Sequence, residues 1–183
     1  MKKIFVDVET TGLNQYKHQI TELACLYEDI SEFHMYCLPE KKPETYHELE
    51  EKGMPSWSLL QEKGVSEKEL YEKFKKWLEK IIDPFNKQDK AVFFGYNAKF
   101  DRDFCYQLFK RNNDNFFNSY FHRHAVDVMS TVLEAVAFDK ITVSESFKLE
   151  KICEHIGISL ENAHSALHDI KATRDLYYKL RSI

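Results

Sequence analysis

Residues 2–12 read KKIFVDVETTG. Ile4, Val6 and Val8 alternate with Phe5, Asp7 and Glu9, and alternation of this kind is the signature of a strand. The reading expects a buried strand over residues 2–8, with Ile4, Val6 and Val8 facing one way and Phe5 the other. Side chains two apart on a strand share a face, so Asp7 and Glu9 would stand side by side. Two such carboxylates repel and are costly to desolvate unless a cation neutralises them. A strand that ends near Asp7, with Glu9 already in a solvated turn, is the alternative. Thr10, Thr11 and Gly12 follow at once. Gly permits a tight turn and the close approach of a ligand, and the hydroxyls and amides suit a sugar hydroxyl or a phosphate oxygen. Alone, the turn says little, because this composition is common in turns.

Outward from this stretch, residues 20–27 and 32–38 carry strand-like apolar and β-branched content after short connections, so an antiparallel meander is expected. Residues 39–90 are dense in Glu and Lys and read as a solvated surface. Within them, Ser66 and Glu69 form a capping box, and Leu70, Phe74, Trp77, Leu78 and Ile81 recur at helical spacing. Glu69 with Lys73 and Glu72 with Lys76 are spaced for i,i+4 pairing. AVFFGY, 91–96, is a short strand, followed by a helix with Phe100, Phe104 and Leu108 on one stripe. Residues 113–121 receive no assignment. Helices are expected over 127–136, over 146–156 with Gly157 as a stop, and from about Ala163 to Arg181, with Ala166, Ile170, Thr173, Tyr177 and Leu180 inward. Strands first, then strand and helix in alternation, indicate an α/β fold with a mixed sheet.

The composition bounds the function. The chain has 183 residues, 43% apolar and 31% charged, which is enough for one domain over 1–183 with its own core. This excludes collagen-like, mucin-like and membrane classes. With 26 basic and 30 acidic residues, the net charge of −4 gives no global polybasic signal; a local site with bound cations can still take phosphates. Asp7 and Glu9 interrupt the N-terminal apolar run, so it does not read as a secretory signal. Cys25, Cys37, Cys105 and Cys153 are scattered, which fits a reducing cytoplasm and argues against a disulfide frame.

Two further segments carry acidic or imidazole groups. Asp101 in NAKFDRDF, 97–104, follows the strand AVFFGY, and sites are commonly built at the ends of α/β strands. A first-turn carboxylate favoured by the helix dipole is the plainer reading. HSALHDIKAT, 164–173, places His164 and Asp169 near the start of the last helix. His164 and His168 are spaced for zinc, but the Glu of a metalloprotease motif is missing.

Together, DVETTG, NAKFDRDF and HSALHDIKAT resemble, in this order, the DEDD superfamily of 3′→5′ exonucleases. The closer likeness is to its His-bearing branch, which includes proofreading exonuclease subunits, ribonuclease T and oligoribonuclease. FKLEKICEHIGI, 147–158, is similar to the helix before the third motif, and the resemblance spans about residues 3–180. It implies a ribonuclease-H-like α/β/α fold with a five-stranded mixed sheet. It implies that Asp7, Glu9, Asp101 and Asp169 hold two divalent cations, Mg²⁺ or Mn²⁺, which suit hard oxygen ligands. Two such ions roughly 4 Å apart clamp an in-line phosphoryl displacement. By the same match, Asp7 bridges the ions, and Glu9 and Asp169 serve the one that binds the attacking water. Asp101 serves the other.

His164 matches the general base, an imidazole suited to proton transfer near neutral pH. Thr10, Gly12 and Leu13 match the turn receiving the terminal sugar, with Leu13 as a wedge on the last base. Glu22 matches an acidic contact to the 3′-OH, Asn97 and Phe100 line the cleft, and Met54 packs on the last bases. The family more often has His or Asn where this chain has Lys52, just before Gly53. Asp127 is expected to cap its helix. The implied substrate is a single-stranded 3′ end, DNA before RNA, with an exoribonuclease or a small-nucleotide phosphodiesterase as alternatives. A non-catalytic binding module would not need all five groups. A polymerase partner stays open, although no tethering extension follows the last helix.

Overall fold

A computed structural model describes residues 1–143, 146–160 and 165–182. The sheet is built outward from β1 (Lys2–Thr10), which pairs antiparallel with β2 (Ile20–Tyr27) and parallel with β4 (Ala91–Gly95). β3 (Ser31–Tyr36) extends the meander beyond β2, and β5 (Val126–Asp127) pairs parallel with β4. The order is β3-β2-β1-β4-β5, a five-stranded mixed sheet flanked by helices, as the resemblance implies.

Alternation along β1 separates two cores. Ile4, Val6 and Val8 pack with Leu70, Phe74 and Trp77 of α3 (Glu67–Glu79) and with Phe104 and Leu108 of α4 (Ala98–Arg111). Phe5 packs on the other face with Val132 of α6 (Val128–Ala137), Ile152 of α7 (Leu149–Ile156) and Ile170 and Leu176 of α8 (Ala166–Arg181). Asp7 and Glu9 share the Phe5 face, the one α8 covers.

Several expectations shift. β1 runs to Thr10 rather than stopping at Val8, so Glu9 belongs to the strand and not to a turn; a register shift between Glu9 and Thr10 marks its end. The Glu/Lys-rich stretch is not all solvated surface. It forms α1 (Tyr46–Glu50) and α2 (Trp57–Lys63), which bury Tyr46 and Leu60. The unassigned 113–121 segment contains α5 (Phe117–Tyr120), closed by the aromatic packing of Phe117 on Phe109 and Phe121. α7 begins at Leu149 rather than 146, and α8 is described from Ala166. Ser66 caps α3, its Oγ accepting from the Glu69 amide at 3.2 Å. Glu69 pairs with Lys73 at 2.8 Å as spaced, whereas Glu72 pairs back to Lys68 at 3.9 Å rather than forward to Lys76. No described helix is long and apolar enough to cross a membrane.

Candidate active site

β4 pairs with β1 only over Lys2–Phe5. Beyond Phe5, the β1 edge facing β4 therefore needs other partners for its amides. Asp101, in the first turn of α4, supplies one: its Oδ1 accepts from the Val8 amide at 3.0 Å. α4 can come this close because β4 ends in Gly95, where a Cβ would sit 3.1 Å from both the Val6 carbonyl oxygen and the Ala98 Cα. Asp101 is thereby buried, 3% exposed. This is the carboxyl end of two neighbouring parallel strands, where open α/β sheets place their ligand crevices.

α8 closes the same place from the opposite face and brings Asp169 to the strand carboxylates. One carboxylate oxygen from each of Asp7, Glu9 and Asp169 lies within 4.8 Å of the others. Across the ladder Glu9 faces Glu22, and Asp7 faces the small Ala24. So much negative charge in a shielded place is unfavourable to ionise. Burial first, then the charges of Asp101, Glu9, Asp169 and Glu22, push the Asp7 carboxyl well above its ordinary range. Glu9, 7% exposed, is pushed up to about 9 by burial, then by Asp169, Glu22 and Asp101. Asp101 is pushed up to about 8, chiefly by burial, although the Val8 amide and its own backbone favour the charged form. A set of hard oxygen donors that cannot comfortably hold its own charge fits a divalent cation.

Glu22 is completely buried. Its Oε1 accepts from His34 Nε2 at 2.8 Å and from Ser165 Oγ at 3.2 Å, and its Oε2 has no partner. His34 and Ser165 escaped the sequence reading. The one available signal was a histidine two residues before Tyr36 on a strand paired with the Glu22 strand. His164, the expected base, lies outside the described residues; Ser165, its neighbour, is tied to Glu22.

The remaining expected contacts lie on several elements. Thr10 Oγ1 donates to the Gly12 carbonyl at 2.8 Å. Gly12 has φ +155°, and a Cβ there would lie 2.6 Å from the His18 ring. Leu13 is 84% exposed on the β1–β2 loop. Asn97 takes the left-handed conformation before α4, and its amide donates to Asp127 Oδ1 at 2.8 Å. The same oxygen accepts from the Met129 amide at 3.1 Å, so Asp127 caps α6 as expected and also fixes the Asn97 turn. Asn97 and Asp169 border one groove of about 640 Å³, together with Tyr96, Met129 and Phe147. Phe100 packs on Phe104, ring centroids 4.8 Å apart. Met54 is half-buried in the turn after α1, its amide donating to the Leu49 carbonyl at 3.1 Å. That turn lies toward the cleft: Tyr46, which binds the Pro55 carbonyl at 2.8 Å, is close enough to Glu9 for that charge to add to the effect of burial on its hydroxyl.

A ribonuclease-H-like sheet thus gathers Asp7, Glu9 and Asp169 at the end of its central strand. The exonuclease family, by its sequence model, matches residues 4–177. Ribonuclease T of Buchnera aphidicola subsp. Baizongia pistaciae is 25% identical over 194 residues, covering 97% of this chain and 82% of that protein. The 3′-5′ exonuclease DinG of Staphylococcus saprophyticus is 27% identical over 172 residues, covering 93% of this chain but only 17% of its own length. A zinc-bound crystal structure of Escherichia coli exonuclease I with single-stranded DNA superposes with a TM-score of 0.78 at 22% identity, covering 98% of this chain and 40% of that one. The chain belongs to the exonuclease family.

Proposed function

We propose that this protein hydrolyses the 3′-terminal phosphodiester of a single-stranded nucleic acid, releasing nucleoside 5′-monophosphates and leaving a 3′-OH. The observation that carries the reading is the gathering of Asp7, Glu9 and Asp169, with oxygens within 4.8 Å of one another on one face of the sheet. These three would hold one divalent cation, Mg²⁺ or Mn²⁺, and Asp7 with Asp101 a second. When bound, such ions activate water and offset the charge that develops on the phosphoryl oxygens.

The chain's own groups do the rest. His164 takes the proton from the attacking water as its oxygen bonds to phosphorus and the bond to the 3′ oxygen breaks. Glu22 is the acidic contact to the terminal 3′-OH, and its bond to Ser165 ties it to the start of α8. Thr10 and Gly12 shape the turn that receives the terminal sugar. Leu13 and Met54 pack on the last bases, and Asn97 and Phe100 line the cleft.

DNA is the favoured substrate, supported by the single strand held by the exonuclease I likeness. RNA trimming is the second reading, favoured by the match to a ribonuclease T over 82% of that protein's length. The test is digestion of 5′-labelled single-stranded DNA and RNA of one sequence in Mg²⁺, Mn²⁺ or EDTA. The expected result is a cation-dependent ladder shortening from the 3′ end, absent with Asp7→Ala. Cation binding without digestion of either strand overturns the reading.

A further inference from the structure

We infer that a groove between the β1–β2 loop and α4 carries the phosphodiester backbone of the strand whose 3′ end enters the carboxylate cleft. The inference rests on the exonuclease reading. The groove measures about 440 Å³ and is lined by Tyr16, Lys99, Arg102, Tyr106, Asn118 and Arg123, with Asp103 as its carboxylate. Three cations therefore meet one acid, in a chain whose net charge is −4. Asp103 is taken up by Lys99. No carboxylate among the described residues pairs with Arg102 or Arg123, so both keep their full charge for an outside anion.

Arg102 is held without being neutralised. It donates to Asn118 Oδ1 at 3.0 Å and stands 5.7 Å from the Phe117 ring centre, and its Nε is buried without a partner. A guanidinium fixed in this way is preorganised for phosphate oxygens. Across from it, Tyr16 is 74% exposed on a loop that is tied down. Arg111 Nη1 donates to the Gln15 carbonyl at 3.2 Å, and Nη2 of the same residue pairs with Glu67 at 2.9 Å. An exposed ring on a fixed loop beside cations is the arrangement that stacks a base while the backbone is held. The loop wall follows Gly12 and Leu13 in the chain, and the α4 wall is the outer side of the helix whose first turn carries Asp101 on its buried side.

The experiment uses the full chain in Ca²⁺, with 5′-fluorescein oligothymidylates of about 12 and about 3 nucleotides, lengths that bracket the groove. Binding is read by anisotropy over a salt series. Arg102→Gln with Arg123→Gln is expected to weaken the longer strand by about tenfold and the shorter by less than about threefold. Losing two phosphate contacts should make the salt slope shallower by about 1.4. Arg123→Gln alone, at an exposed position, is expected to give half that change without any risk to folding. Lys68→Gln with Lys73→Gln on α3 removes the same charge and should leave the slope as in the wild type. An unchanged slope in the arginine variants, or equal weakening of both lengths, overturns the inference. If the wild type binds with the expected slope but digests nothing, the exonuclease reading fails while the groove stands. If it digests both strands and the arginine variants bind like the wild type, the groove fails while the activity stands.

Discussion

The two faces of β1 are built from one nine-residue strand and behave in opposite ways. Ile4, Val6 and Val8 enter an apolar core under α3 and α4, where burial is favourable by roughly 25 cal/mol per Å². One residue over, Phe5 repeats that pattern under α8, but Asp7 and Glu9 continue the same face with carboxylates. Among the described residues no cationic side chain pairs with Asp7 or Glu9, and Glu22 and Asp169 add charge of the same sign. A strand that stabilises the fold on one side and loads it with repulsion on the other shows where a ligand belongs. The α3/α4 face is scaffold, and the α8 face is maintained at a cost that a cation offsets.

Substitutions on the two faces should therefore separate. The largest expected effect is from Asp7→Ala, which lowers turnover by roughly 10³-fold or more and removes cation binding; kinetics and Mn²⁺ titration check both. His164→Ala is expected to lower kcat by roughly 10²–10⁴-fold with cation affinity nearly kept, and to remove the rise of rate with pH through the imidazole range. A collapse of cation affinity would make His164 a ligand instead. On the scaffold face, Phe104→Ala is expected to cost about 3–5 kcal/mol in denaturant unfolding, while Asp7→Asn in EDTA raises Tm. A fall in Tm for Asp7→Asn would contradict the contrast between the faces. The smallest effect is from Ser66→Ala, about 1 kcal/mol, far from the site and without consequence for kcat.

The pH dependence without cations follows from the same repulsion. Glu9 rises from its ordinary 4.5 to about 9, so across that window the folded chain holds a proton that the unfolded chain has released. Stability then falls as pH rises from about 4.5 towards 9, the reverse of a salt-bridged carboxylate. Thermal melts in EDTA should show the decline, and Mn²⁺ should flatten it.

Much of this was legible in the sequence because it is local. Residues 20–27 are recognisable by their apolar and β-branched content and form β2 with those bounds; Ser66 and Asp127 announce their caps by residue type. What was hidden is non-local. β5 is the two residues Val126–Asp127, too short for any periodicity, and it exists because β4 offers an edge. The bond from the Val8 amide to Asp101 joins residues 93 apart and arises because β4 stops pairing at Phe5. Tyr46 is buried within a stretch whose Glu and Lys content reads as surface, because α1 and α2 turn one side inward. At the site, the carboxylates were readable only as three motifs taken together. The Glu22–His34–Ser165 network carries no motif at all, since it depends on the register of β2 with β3 and on the arrival of α8.

The central claim is that the charged face of β1 is a cation site whose carboxyl groups are protonated until the ion arrives. Calorimetric titration of Mn²⁺ at pH 7, repeated in buffers of different ionisation enthalpy, measures this directly. The account predicts binding with release of about one proton or more, because burial and the neighbouring charges push the Glu9 carboxyl up to about 9 and burial pushes the Asp101 carboxyl up in the same direction. Binding without proton release, or no binding by a chain that is folded, would contradict it.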